Sequence, residues 1–125
     1  MESKWKNKNF FEALKNSLSG LFYAIKEQKN LKIQLIMAFL VIIFSIVIKI
    51  NKIEMMFICI AICFVIFAEV VNTAIEKTVD LVTEEYNEKA KIAKDIAAGA
   101  VIISSINAII VGIIVFLEKI INVIK

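Results

Sequence analysis

A charge-free stretch, Met55–Ala68, passes without a break into a file of polar groups: Phe67-Ala68-Glu69-Val70-Val71-Asn72-Thr73-Ala74-Ile75-Glu76-Lys77-Thr78-Val79-Asp80. No proline or glycine interrupts it, so a single helix can carry the whole segment. On that helix Glu69, Asn72, Glu76 and Asp80 stand at i, i+3, i+7 and i+11 and share one face. Val70, Val71, Ala74, Ile75 and Val79 keep the opposite face apolar. A carboxylate inside a membrane helix costs about 2.5–3.5 kcal/mol on insertion scales, so it is a functional-site hypothesis by default. Several polar groups on one stripe suit a cation, a proton, or a phosphate-bearing ligand with its metal.

The rest of the chain is as apolar as that opening stretch. It has 125 residues, 60% hydrophobic and without proline, and a mean hydropathy of +0.82. A soluble domain of this size would lack the polar surface to cover its core, so the composition predicts an integral membrane protein with one domain over residues 1–125. The net charge is +3, and lysine supplies every basic residue. No histidine is present, which excludes imidazole metal sites and histidine bases. Cys59 and Cys63 lie one turn apart in an apolar helix and read as buried, inert thiols. Met1–Asn9 is polar, and no apolar signal-peptide core follows it.

Apolar positions divide the chain into four helical segments. Over residues 9–29, Phe10, Leu14, Leu18, Leu21, Phe22 and Ile25 recur at helical spacing, with Glu12, Lys15, Asn16, Ser19 and Lys26 opposite; this pattern predicts a surface helix in the membrane interface. Transmembrane helices are expected over 31–50, 54–82 and 95–119, with a tight turn near Asn51 and a cytoplasmic loop over 83–94. The fold class is thus an all-α membrane protein, a surface helix plus three spans. Lysines set its orientation. Lys4, Lys6, Lys8, Lys15, Lys26, Lys29, Lys32, Lys77, Lys89, Lys91 and Lys94 fall on one side, against Lys49, Lys52, Lys119 and Lys125 on the other. The N-terminus and the 83–94 loop are therefore expected in the cytoplasm. Ala100, Ser104, Ala108 and Gly112 form a small-residue stripe on the last span, which predicts close helix packing and carries no chemistry.

This topology brings the acidic face, Glu27, the Glu84-Glu85-Tyr86 segment and Lys94-Asp95 to the cytoplasmic boundary. Oxygen ligands without histidine or cysteine suit a hard cation such as Mg²⁺, which takes one or two carboxylates plus phosphate oxygens. Lys94 offers a point charge for a phosphate. Glu69, deeper in the helix, is placed to reach a hydroxyl on a lipid headgroup and to act as a general base. There is no Gly-rich phosphate loop, since Gly20, Gly99 and Gly112 stand alone. Blander roles compete at several positions. Glu84, Glu85 and Glu88 can be solvated loop charges, Asp80 can pair with Lys77 or Lys94, and Asn72 can be interhelical glue.

Two segments carry a family resemblance. Glu69-Val-Val-Asn72-Thr73-Ala74-Ile75-Glu76-Lys-Thr-Val-Asp80 comes first, and Ala90-Lys91-Ile92-Ala93-Lys94-Asp95-Ile-Ala-Ala-Gly99-Ala100-Val101 follows after a polar stretch. Together they closely resemble the bacterial diacylglycerol kinase/undecaprenol kinase family, and the resemblance extends over nearly the whole chain. It implies a small homotrimeric kinase of the bacterial cell membrane, with active sites shared between subunits. Such a kinase transfers the γ-phosphate of Mg·ATP to a lipid hydroxyl and has no nucleic-acid partner. Carried over by position, Glu69 is the expected catalytic base, with Asn72 beside it in the phosphate region. Glu27 and Glu76 are the expected metal-binding carboxylates. Glu85, Tyr86, Asn87, Lys94 and Asp95 are the expected ATP contacts.

Asn9 and Asn16 depart from the basic and aromatic residues that some members carry in the surface helix, so no nucleotide contact is assigned there. The stretch Glu27-Gln28-Lys29-Asn30-Leu31-Lys32 resembles the undecaprenol-phosphorylating branch, which favours undecaprenol over diacylglycerol as substrate. A cation-coupled transporter subunit would also place a glutamate in a helix. It needs polar residues across the bilayer, and Met55–Ala68 with Val101–Leu117 supply only Ser104, Ser105 and Asn107. A non-catalytic membrane adaptor has no need of Glu69, Asn72 and Glu76 on one face.

Overall fold

A computed structural model describes residues 4–125; the first three residues of the polar Met1–Asn9 stretch lie outside it. The described residues form four helices and no strand: α1 (Phe10–Glu27), α2 (Lys29–Val47), α3 (Lys52–Val82) and α4 (Glu88–Ile124). The expected all-helical architecture is borne out, and α2, α3 and α4 are each long and apolar enough to cross a membrane.

Local chemistry sets each boundary. Asn9 caps α1 by accepting from the Glu12 backbone N–H at 2.8 Å, and Asn16 Nδ2 reaches back to Asn7 Oδ1 at 2.6 Å. The two asparagines that depart from the family pattern thus stabilise the start of the surface helix. Gln28 alone separates α1 from α2. Its backbone is extended, and its N–H bonds to Ala24 O at 2.9 Å. The first span ends at Val47, before its expected limit, because the chain turns there in a Schellman motif. Lys49 N–H donates to Ile46 O and Ile50 N–H to Ser45 O, with Lys49 in the left-handed region at φ 56. A capping box then opens α3, since Asn51 Oδ1 accepts from Glu54 N–H and Glu54 Oε2 from Asn51 N–H.

The polar stretch expected as a loop over 83–94 is a loop only over 83–87. Asn87 accepts from Ala90 N–H at 3.2 Å and so caps α4. Glu88 in the first turn suits the helix dipole. Lys94 and Asp95 are therefore helical. At 1.5 Å per residue α3 is about 46 Å long and α4 about 55 Å, both longer than a hydrocarbon core of about 30 Å. That excess leaves helix to spare beyond the apolar span for charged residues such as Asp80 and Lys94.

The most extensive packing is between α3 and α4. Ala61, Ala68, Ala97 and Ser104 are buried, so the two helices meet over small side chains. Within the expected stripe Ser104 is fully buried, Ala108 and Gly112 are half-buried, and Ala100 is exposed. At the far end Lys119 pairs with Glu54 at 3.4 Å, and Phe44 meets Phe116 edge to face at 5.1 Å. Many large apolar side chains point outward, among them Phe39, Ile46, Phe67, Ile102 and Ile114, as a lipid-solvated bundle requires. Phe10, Phe11 and Phe22 leave the apolar side of α1 uncovered as well. Cys59 and Cys63 correct one expectation: both are free thiols exposed on the outer side of α3, because neither α2 nor α4 covers that side.

Candidate active site

The polar face of α3 exists as expected and divides into two levels. In the lower level Glu69 is 3% exposed, Asn72 7% and Thr73 4%. Three buried side chains satisfy their own hydroxyls within a helix: Ser45 donates to Val41 O, Thr73 to Glu69 O and Ser104 to Val101 O. Among the described residues the carboxylate of Glu69 has no lysine partner and accepts one hydrogen bond, from Gln34 Nε2 on α2 at 3.2 Å. Asn72 Nδ2 donates to Glu76 Oε1 at 3.3 Å, a contact favoured because helical side chains lean toward the N-terminus.

Among the described residues, two buried side-chain atoms have no hydrogen-bond partner: Gln34 Oε1 and Asn72 Oδ1. Both belong to amides that donate to a carboxylate of this file. Buried acceptors are satisfied in the large majority of cases, so an orphan requires an explanation such as a missing ligand. The chain thus holds two carboxylates, each tethered by an amide whose own oxygen is unmatched.

The upper level lies one to three turns further along α3. Lys94 Nζ bridges to Asp80 Oδ1 at 2.6 Å and also lies in the field of Glu76. Of the two partners open to Asp80, the fold selects Lys94. Lys77 instead stacks over the Tyr23 ring, 5.4 Å from its centre, and ties α1 to α3. Asp95 pairs with Lys91 at 2.6 Å. These charges border a cavity of about 400 Å³ at the α3–α4 turn, which Glu85, Tyr86, Asn87, Lys94 and Asp95 all line. The five residues expected to contact nucleotide are therefore gathered at one opening. Asn87 already commits its oxygen to the α4 cap, and Glu85 contributes its carbonyl to Thr83 Oγ1 at 3.0 Å. Tyr86 is 82% exposed and unencumbered.

Glu27 is the outlier. It ends α1, is exposed, and makes no hydrogen bond or ion pair among the described residues. Among the described residues no group of three or more acids, histidines or cysteines converges to hold a metal. Glu76 with the orphan oxygen of Asn72 fits a more open arrangement, the one or two protein oxygens that Mg²⁺ takes when phosphates complete its shell. Sequence reasoning missed Gln34, which sits in a span otherwise read as apolar. An amide flanked by Ile33, Leu35 and Ile36 near the start of a membrane helix was the available signal.

A small helical membrane protein with a polar file at the mouth of its bundle is the class this fold and site define. The chain belongs to the prokaryotic diacylglycerol kinase family, whose model matches residues 15–116. It is 34% identical over 110 residues to undecaprenol kinase of Bacillus subtilis, covering 88% of this chain and 89% of that protein. It is also 37% identical over 105 residues to diacylglycerol kinase of Synechocystis, covering 83% of this chain and 60% of that longer protein. The chain is thus a membrane lipid kinase that uses ATP and a lipid substrate, as the two sequence segments led us to expect.

Proposed function

We propose that this kinase phosphorylates the hydroxyl of undecaprenol. Support comes from the match along 89% of the undecaprenol kinase of Bacillus subtilis and from the Glu27–Lys32 stretch. Diacylglycerol is the second reading, favoured by the 37% identity to the Synechocystis protein. Both lipids present one hydroxyl on a long apolar body, and the buried file of α3 suits either.

The observation that carries the mechanism is Glu69 itself, a buried carboxylate in an apolar helix, with no cation beside it among the described residues. In this reading Glu69 takes the proton of the lipid hydroxyl as its oxygen attacks the γ-phosphorus of ATP. Lys94 and the charged rim of the α3–α4 cavity hold the polyphosphate above it. Asn72, in the lower level, orients Glu76 one turn above it through their hydrogen bond. Glu76 with Asn72, and Glu27 from α1, would hold Mg²⁺, which when bound offsets phosphate charge. Catalysis then rests on positioning and electrostatics.

The working unit is a homotrimer in the bacterial cytoplasmic membrane, with its active site on the cytoplasmic side. Lysine placement supports that orientation. The uncovered apolar sides of α2, α3 and α4 give neighbouring copies, as well as lipid, something to pack against. Transfer of label from γ-labelled ATP by the purified protein in mixed micelles tests the proposal. Undecaprenol and a diacylglycerol supplied together should label preferentially on undecaprenol, and preference for diacylglycerol would reverse the substrate assignment.

A further inference from the structure

We infer that Gln34 is a positioning residue for Glu69, pinning one carboxylate oxygen so that the other faces the lipid hydroxyl. The inference rests on the kinase reading above and deepens it. Gln34 lies on α2 and Glu69 on α3, and among the described residues the 3.2 Å hydrogen bond between them is the only one the carboxylate receives. A free carboxylate rotates about its last bond. One N–H donor on Oε2 removes that freedom and leaves Oε1 as the atom available to take a proton. The donor is neutral, so it orients the base without neutralising it as a lysine would.

The orphan oxygen separates this role from simple helix glue. A glutamine kept only to join α2 to α3 would gain by satisfying its acceptor, or would be replaced by an apolar residue of equal size. Gln34 does neither: its Oε1 is buried and unmatched, whereas the buried hydroxyls nearby are satisfied within their own helices. Gln34 also lines a cavity of about 330 Å³ between α2, α3 and α4 whose other walls are apolar except for Ser105. It therefore stands at the junction between an apolar chamber and the base. A lipid alcohol brings the same two parts, an apolar chain and one hydroxyl.

In the reaction so arranged, the lipid oxygen forms its bond to the γ-phosphorus while the bond from that phosphorus to the ADP oxygen breaks. The hydroxyl proton passes to Glu69 Oε1 and later to water. Gln34 stays neutral throughout and holds Oε2.

Gln34→Met keeps length and volume and removes the donor. The expected result at saturating lipid and MgATP is a kcat at least tenfold lower. The KM for MgATP should stay within twofold because the upper level is untouched, whereas the melting temperature should fall, because the buried Glu69 carboxylate loses its hydrogen bond. An unchanged kcat overturns the inference. So does a kcat loss matched by an equal rise in the KM for MgATP, which would make Gln34 a support of the whole bundle rather than of the base. If Gln34→Met fails to assemble, Gln34→Asn keeps a polar amide but withdraws the donor by one methylene. It should show the same kcat loss, and wild-type kcat there would overturn the role. The parent reading fails separately: a wild-type protein that labels neither lipid removes the kinase assignment and this inference with it.

Discussion

Asp80 and Lys94 face each other across the turn between α3 and α4, with Lys94 Nζ 2.6 Å from Asp80 Oδ1. Both side chains are well exposed, at 57% and 40%, so solvent screens the pair and it adds little to stability. Its consequence is positional: the lysine is held at the rim of the cavity before any phosphate arrives.

Lys94→Met should therefore leave the melting temperature nearly unchanged while raising the KM for ATP tenfold or more. Asp80→Asn should have a smaller effect, since it frees the lysine without removing it. Steady-state kinetics at fixed lipid, beside a thermal melt, separates the two variants. A stable Lys94→Met enzyme with normal ATP KM would exclude Lys94 from the nucleotide site.

Glu69→Gln keeps the size of the side chain and removes its basicity. Turnover should fall about 10²–10⁴-fold, the usual worth of a positioned general base. Assembly and ATP binding should persist, because Glu69 lies about 16 Å along the helix from Asp80. Activity near that of the wild type would rule out Glu69 as the base.

For Glu76→Gln the readout is the Mg²⁺ concentration at half-maximal rate, which should rise several-fold as a carboxylate ligand is replaced by an amide. Asn72→Ala should raise it too, by removing both the hydrogen bond to Glu76 and the orphan oxygen. A Mg²⁺ titration identical to that of the wild type in both variants would count against a metal role for this pair.

Much of this arrangement was legible in the sequence. The spacing of Glu69, Asn72, Glu76 and Asp80 dictated one helical face, and a helix free of proline and glycine delivered it. The gathering of Glu85–Asn87 with Lys94 and Asp95 was foreseeable once the turn after Val82 was recognised. What escaped was cross-helix chemistry. Gln34 is 35 positions from Glu69, and nothing in its own neighbours marks it as their partner. The loop boundary was misjudged because charge density on Glu88–Lys94 resembles a loop, while the Asn87 cap and a run of helix formers decide otherwise. The thiols of Cys59 and Cys63 were expected inside because a bundle buries apolar faces, yet here lipid or another subunit substitutes for a core.

The turn at Lys49 gives a prediction about stability alone. A left-handed residue with a Cβ costs about 1–2 kcal/mol relative to glycine, part of which glycine returns as unfolded-state entropy. Lys49→Gly should raise resistance to denaturant by up to about 1 kcal/mol with activity unchanged, since the turn lies at the far end of the bundle from Glu69. A destabilised variant would mean that the lysine side chain itself supports the turn.

In the proposed mechanism a carboxylate buried in α3 activates a lipid hydroxyl toward ATP. The most direct test compares wild-type protein and Glu69→Gln for transfer of γ-labelled phosphate to undecaprenol and to a diacylglycerol in the same micelles. Labelled lipid, mainly undecaprenyl phosphate, is expected from the wild type, with near-background labelling from a variant that still assembles and binds ATP. Equal labelling by both proteins would contradict that mechanism.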